Sequence, residues 1–427
     1  MLVRYFYNLA QKDKALFKIG IFLLPSAFAL STILIIPSLF IQGYKKRKSI
    51  LKDRYNLILC SISILMILSC IAQNLFIKNN TGLVIEKYLT WIGLFNWIPF
   101  FWFFYTSQGF LKTKSDRISI SYILTLGTIP VIISGIGQYF FNWIGPFKFL
   151  NGFIVWYQRP INEISGLTGL FNHANYAGSW LTIILPLCIA QIFNTSKNKF
   201  KSFLLSFILL GIIICIFLTN SRNAWGSSIF SIPLIFGISS LWWFLPFVFF
   251  ITTIILITTQ NIFKGELQEI LKIIIPKKVW LEFTNEGFNG IDVTRLEILN
   301  AANKIILNNP LFGTGAGSFT LIYEFNTNLW KGHSHNIFVE LAISYGLPST
   351  ILFIYFLCLI LIRSFKKLFK DPKTDMNDKS FWAAGFIFII SQMVDIQYFD
   401  GRISLVFWIL IAGLKCAIEE KEKIKYG

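Results

Sequence analysis

Ionisable side chains are scarce in this chain. Asp, Glu, Lys and Arg make up 14% of its 427 residues, where a globular domain carries roughly a quarter. That shortage excludes a water-soluble fold. With 55% hydrophobic and 17% aromatic residues and a mean hydropathy of +0.62, the chain reads as an integral membrane protein. Histidine is almost missing, with three copies, and no clustered Asp/Glu motif accompanies them, so neither a metal nor a cofactor is expected. The six cysteines lie in or at the ends of apolar runs without a CxxC pair, which excludes a zinc ribbon and a disulfide framework. No small-residue cleavage site follows the first apolar run, so no cleavable signal peptide is expected. The surplus of basic residues is scattered among short loops with no recognisable binding module, so a nucleic-acid partner is excluded too.

Apolar runs fill most of what remains. A membrane span takes ~20 apolar residues, and runs near that length cover residues 55–77, 88–110, 118–141, 174–194, 203–219, 224–238, 243–258, 347–362, 381–395 and 403–418. Residues 17–42 are also apolar but are interrupted by Pro25 and Pro37. The expected fold is all-α: a polytopic membrane protein of about 10–12 transmembrane helices, with one long extracytoplasmic loop containing short helices. Residues 1–164 form an N-terminal set of spans. Residues 165–365 form a central domain that includes the loop 261–334, and residues 366–427 add C-terminal spans and a cytoplasmic tail.

Short loops rich in Lys and Arg stay in the cytoplasm. Segment 43–54 carries Lys45, Lys46, Arg47, Lys48, Lys52 and Arg54 against Asp53 alone. Alternation from there puts 111–117, 195–202 and 363–380 on the same side, and each is basic. The N-terminal tail, with Arg4, Lys12 and Lys14, also belongs inside, which a hairpin broken at Pro25 would allow. The opposite face receives 142–173, 220–223, the turn around Asp400, and 261–334. That last segment holds seven basic and seven acidic residues and is too long to be a mere connector.

The residues suited to chemistry fall on this second face. Thr294-Arg295-Leu296-Glu297 reads as a capping box opening a helix with an apolar stripe at Leu296, Leu299, Ile305 and Ile306, ended by Pro310 and Gly313. Arg295 in its first turn is either an exposed residue of an amphipathic helix or, with the free N–H groups, half of an anion site. Arg222, in the polar knot 219–223, either snorkels to lipid headgroups or faces a cavity. Two guanidinium groups in one pocket would suit a phosphate or pyrophosphate. His333 and His335 close the polar loop in Lys331-Gly332-His333-Ser334-His335-Asn336, where an imidazole can take a proton from a sugar hydroxyl at neutral pH. His173 and Asn175 are candidates to line the same cavity, with Asn172 as a helix cap. Tyr323, Phe325 and Trp330 are candidates to stack on sugars. Asp400 and Arg402 read as a surface ion pair, with Asp395 on the other flank of the same turn. Gly313-Thr314-Gly315-Ala316-Gly317 lacks the Gly-Lys-Ser/Thr ending of a phosphate loop and reads as a flexible loop.

Three pieces in order resemble the O-antigen ligase family, whose domain also occurs in O-antigen polymerases and protein O-oligosaccharyltransferases. They are Gly169-Leu170-Phe171-Asn172-His173-Ala174-Asn175, then Ser221-Arg222-Asn223-Ala224-Trp225, then Arg295 through Pro310-Leu311-Phe312-Gly313-Thr314-Gly315 to His335-Asn336 and Gly346. His-Asn, nine residues, then Gly is the family's signature, and the resemblance covers about residues 165–365. The chain departs from the pattern at Ser349, Ile351 and Ala174, and it lacks an Arg just ahead of Gly169. The resemblance implies metal-independent, inverting transfer of a glycan from an undecaprenyl-pyrophosphate donor on the periplasmic face of the bacterial cytoplasmic membrane. The acceptor would be a hydroxyl of lipid A-core, of a glycan or of a protein. It gives Arg222 and Arg295 to the pyrophosphate and His335 to the acceptor hydroxyl, with His333, Asn336, Asn175 and His173 as candidate contacts to acceptor or glycan. A polysaccharide polymerase of the same superfamily is one alternative. A bicarbonate or small-anion transport protein is another, although transport favours ionisable groups at the bilayer midplane and these sit at the edge.

Overall fold

The computed structural model describes residues 2–75, 87–161, 166–259, 265–274, 293–370 and 374–426. The structure is 79% helical. Helix α1 (Leu2–Leu23) and helix α2 (Phe28–Lys46) are separated by a tight turn at Pro25, where Ala27 N donates to Leu23 O at 2.8 Å. The two fold back on each other, with Ser31 Oγ donating to Gly20 O at 2.7 Å. The broken hairpin expected from Pro25 therefore forms. It brings Asp13 to within 2.8 Å of Lys45 and Lys14 to within 3.3 Å of Asp116, so this part of the N-terminal helix shares an end with the basic loops.

Proline also decides where other apolar runs divide. Run 88–110 becomes α4 (Lys87–Gly93) and α5 (Ile98–Ser107), the latter opening with Pro99 in its first turn, where the missing N–H does no harm. Run 118–141 becomes α6 (Lys114–Gly127) and α7 (Ile129–Phe140), divided at Thr128 ahead of Pro130. Between α7 and α8 (Ala174–Asn194), a small antiparallel hairpin pairs β1 (Phe147–Phe149) with β2 (Ile154–Trp156). The rest comprises α3 (Arg54–Leu75), α9 (Lys199–Leu218), α10 (Arg222–Phe236), α11 (Leu241–Thr259), α12 (Glu266–Ile274), α13 (Arg295–Asn308), α14 (Ser318–Thr327), α15 (Ile337–Phe369), α16 (Met376–Ser391) and α17 (Gly401–Tyr426). Loop 261–334 thus carries short helices, as expected.

Among the described residues, seven helices are long and apolar enough to cross a bilayer, with α6 and α7 counted together as Lys114–Phe140. The difference from 10–12 arises because α5, α10 and α16 have only 10, 15 and 16 residues, although they pack into the same bundle. Helix α17 is its axis, with 94% of its apolar window buried, whereas α9 buries only 33% and turns Phe200, Phe203, Phe207 and Leu210 outward. An outward apolar face of that kind suits lipid. At the basic end, Arg117 is buried and clamps three helices, bonding Asp378 at 2.7 and 2.9 Å and Glu420 at 2.7 Å.

One break matters for the site. Helix α15 is interrupted at Gly346, whose φ of 83° and ψ of 167° are readily accessible only to glycine. The segment that follows α13 docks into this break: Leu347 N donates to Pro310 O and Thr314 N to Ile343 O, both at 2.7 Å. From α3, Gln73 Nε2 donates to Ser344 O at 2.9 Å, and both Gln73 and Ser69 donate to Phe312 O. Segment 313–317 is therefore a fixed joint, which corrects the reading of it as a flexible loop. Helix α14 follows it directly, starting at Ser318. A Cβ on Gly346 would lie 2.1 Å from Leu311 O. We expect Gly346→Ala to lower stability by ~2 kcal/mol or more, through strain at positive φ plus this overlap. Thermal unfolding of the detergent-purified protein measures it, and an unchanged midpoint would refute this account of the joint.

Candidate functional site

The site forms where the N-terminus of α15 meets the turn between α16 and α17. Asn336 caps α15: its Oδ1 accepts from Phe338 N at 3.0 Å and Val339 N at 3.3 Å, while its Nδ2 donates to Met393 O at 3.3 Å. Ile337 N donates to Gln392 O at 3.0 Å, so the cap and the turn are fastened together. The turn itself folds around Gln392, whose Oε1 accepts from Gln397 N at 2.8 Å and Tyr398 N at 2.9 Å. On the other side of the cap, Ser334 is fully buried and its N–H donates to Glu340 at 2.9 Å.

Held from both sides, His335 adopts the left-handed conformation, φ 58°, which is uncommon for a residue with a side chain. That conformation turns its ring onto Asp395, with Nδ1 2.8 Å from Oδ1. Asp395 is only 6% exposed, and its other oxygen accepts from Asn175 Nδ2 at 2.7 Å and Gln397 Nε2 at 2.8 Å. Burial alone would raise the pKa of this carboxyl. The His335 hydrogen bond and the charges of His333, His335 and Arg295 outweigh burial and hold it near about 2. An ionised carboxylate only accepts, so the contact places a proton on His335 Nδ1; in the neutral ring Nε2 then carries the lone pair.

His333 packs edge-on against His335, with ring centroids 4.5 Å apart, and its Nδ1 accepts from His335 N at 3.1 Å. Burial, reinforced by the neighbouring His335, Arg295 and His173 and opposed by Asp395, lowers its pKa to about 4. His333 is therefore neutral at pH 7. His333, His335 and Asp395 each offer one donor atom, and these lie within 4.8 Å of one another, close enough to hold a cation.

The remaining candidates converge on this centre to different degrees. Asn175, in the first turn of α8, bonds Asp395 directly. His173 is the N-cap of α8, with Nδ1 accepting from Asn175 N at 3.1 Å, so the expected cap moves from Asn172 to His173. The capping box opening α13 forms as expected, with Thr294 N donating to Glu297 Oε2 at 2.8 Å. Its buried face differs from the expected stripe: Leu296 is 68% exposed, and Ile298 packs instead with Ala302, Ile305 and Ile306 against Phe319, Tyr323 and Ile343. Tyr323 is accordingly a core residue, while Phe325 and Trp330 stay exposed. Packing of α13 on α15 leaves Arg295 exposed, near enough for its charge to act on His333 and Asp395. Among the described residues Arg295 has no hydrogen-bond or ion-pair partner. Arg222 is the first residue of α10, and its neighbour Asn223 donates to Ser391 O at 3.2 Å, four residues before Asp395. A small crevice between α8, α10 and α16 is lined by Asn175, Ser221, Asn223 and Ser391 together with apolar Ile183 and Phe388; Asn175 is the residue it shares with the Asp395 centre.

Two residues are new relative to the sequence reading. Asp395 carries the hub, and Gln397 completes it. The available signal was a lone carboxylate in an apolar run, a placement that demands partners. Asp400 and Arg402 do pair, at 2.5 Å, but the pair is buried rather than superficial. Arg402 stacks 4.0 Å over the Phe171 ring and donates to Leu170 O, fixing the segment that leads to His173 and Asn175.

Because His333 is held neutral well below its ordinary pKa, the unfolded chain binds this proton first as pH falls. Its contribution to stability is complete above pH 6.5 and declines towards pH 4. We expect unfolding midpoints in detergent to drop across that window and His333→Gln to flatten the slope; an unaltered slope would contradict the burial argument.

Comparison with known proteins follows the same residues. No curated protein matches the chain. Residues 204–354, which contain Arg222, Arg295, His335 and Gly346, match the family model described as O-antigen ligase. The matched stretch falls inside residues 165–365, where the signature residues resemble the same family.

Proposed function

We propose that the protein transfers a glycan from an undecaprenyl-pyrophosphate carrier to an acceptor hydroxyl, on the periplasmic side of the bacterial cytoplasmic membrane. The observation that carries this reading is the His335–Asp395 hydrogen bond, because it leaves one imidazole nitrogen free as a base. In the reaction the acceptor oxygen attacks the anomeric carbon, its proton passes to His335 Nε2, and the bond from that carbon to the pyrophosphate oxygen breaks with inversion. Asp395 stabilises the imidazolium that forms. Arg295 and Arg222, each at a helix start, balance the charge gathering on the departing undecaprenyl pyrophosphate. His333, neutral and packed on His335, shapes the acceptor side together with His173. Asn336 and Asn175 act as positioning residues, one on the loop and one on the carboxylate.

Two guanidinium groups do the work that a metal ion performs in other pyrophosphate-releasing enzymes, so no metal is required. The His333, His335 and Asp395 trio also admits a cation-dependent reading. Chelation distinguishes the two: transfer is expected to persist in EDTA, and loss reversed by one divalent metal would replace the base mechanism. Lipid A-core, a growing glycan or a protein hydroxyl are the candidate acceptors. Gel separation of lipopolysaccharide and lipid-linked intermediates from a deletion strain separates them. Unligated long chains on the carrier support a ligase, single repeat units a polymerase, and a carbon-uptake defect with normal glycans supports transport instead.

His335→Ala should reduce transfer ~10²- to 10⁴-fold while leaving membrane insertion intact, since it removes a base and little packing. Normal surface polysaccharide in cells carrying only that variant would overturn the assignment. Arg222→Lys and Arg295→Lys should each slow turnover of lipid-linked donor ~10-fold or more, because a point charge does not replace a fork. Wild-type rates in both would remove the pyrophosphate role.

A further inference from the structure

At the basic end of the bundle, opposite His335, lies a cavity of about 540 Å³ that glycan transfer does not use. From the turn at Asp395 the chain runs down α17 to Lys415, about 20 Å along the axis at 1.5 Å per residue. Lys46, Lys52, Arg54, Lys112, Arg363 and Lys415 line the cavity, against the carboxylates of Asp53, Glu419 and Glu422. All three carboxylates are engaged. Lys415 holds Asp53 at 2.5 Å and Glu419 at 2.8 Å, and Glu422 pairs with Lys367. Among the described residues, no carboxylate is left for Lys52, Arg54, Lys112 or Arg363. The cavity therefore carries uncompensated positive charge.

Two buried amides in the wall point to a ligand independently of that charge. Gln108 is 4% exposed; its Oε1 accepts from Lys415 Nζ at 3.0 Å, and its Nε2 has no acceptor. Asn56 is 3% exposed, and its Oδ1 has no donor. A buried polar atom without a partner costs about 1–3 kcal/mol, so such atoms mark places where something else binds. A donor orphaned among cations asks for an anion, and the orphaned acceptor in the same cavity wall asks for a hydroxyl.

The cavity continues into an apolar groove of about 160 Å³ between α3 and α5. Leu59, Ile98, Phe101 and Trp102 line it, and Asn56 and Tyr105 border both spaces. A basic chamber opening onto a hydrocarbon slot at one membrane edge has the shape of a lipid.

We propose that this cavity and groove bind an anionic phospholipid, with its phosphate between Lys112 and Arg363 accepting from Gln108. A headgroup hydroxyl donates to Asn56, and one acyl chain lies along Phe101 and Trp102. Calorimetric titration of the full chain in detergent tests it, using dioctanoyl phosphatidylglycerol, dioctanoyl phosphatidylcholine and inorganic phosphate as probes. Saturable binding of one phosphatidylglycerol, at least tenfold tighter than either other probe, is expected. Both Gln108→Leu and the double variant Lys112→Gln/Arg363→Gln should weaken it at least tenfold, with the unfolding midpoint unchanged as the control for folding. Equal affinity for phosphatidylcholine would remove the role of charge, and equal affinity for inorganic phosphate would remove the role of the groove. Either result, or wild-type binding by folded variants, overturns the proposal. None of these readouts depends on glycan transfer, so this proposal and the catalytic one can fail separately.

Discussion

A single buried carboxylate sets the geometry of the candidate site. Asp395 sits in a turn with almost no exposure, where an unpartnered charge would be prohibitively unfavourable. It remains ionised because three donors from three parts of the chain converge on it: His335 ahead of α15, Asn175 in α8, and Gln397 in its own turn. Satisfying the charge and assembling the site are thus one event. Remove the carboxylate and His335 loses its orientation and its tautomer together.

The hub needs a rigid frame, since a displacement of about 1 Å at a reacting group can lower rates ~10²-fold. Two devices provide it. The break at Gly346 lets the segment after α13 bond into the middle of α15, so the loop helices move with the helix that presents His335. The buried pair of Arg402 and Asp400 does the same for the other approach, holding Leu170 and Phe171 at the start of α17. Glycine at one joint and a stacked guanidinium at the other play equivalent mechanical roles.

How far the sequence revealed this differs by residue. The spans were legible because about twenty apolar residues have few other uses, and the hairpin at Pro25 because proline leaves one helix donor missing. The capping box at Thr294 and Glu297 was legible because it is a local pattern. Asp395 was legible only as a carboxylate in need of partners: its segment does not say which, and only a contact sixty residues away, to His335, makes it the hub. Segment 313–317 was misread for a similar reason. Its glycines look flexible locally, yet all three hold positive φ, and two of them, Gly313 and Gly315, sit against partners in α15, α3 and α4. Periodicity reports which face of a helix is buried. It carries no information about which distant backbone a loop will meet.

The two ends of α17 show the same constraint met in opposite ways. Its interior is buried apolar packing, where ion pairs would gain little over hydrocarbon, so the charged groups collect at its termini. At one terminus every carboxylate is matched: Asp400 by Arg402 and Asp395 by its three donors, with Arg295 left over facing outward. At the other, Arg117 consumes Asp378 and Glu420, Lys415 consumes Asp53 and Glu419, and several cations stay without a carboxylate. In each case the residual charge is positive and lies beside a helix end that solvent or headgroups can reach. On the proposed reading, substrate carrier and surrounding lipids are both phosphorylated amphiphiles, which unpaired cations at both ends of α17 would suit: chemistry at the end where a base is also present, and anchorage at the end where it is not.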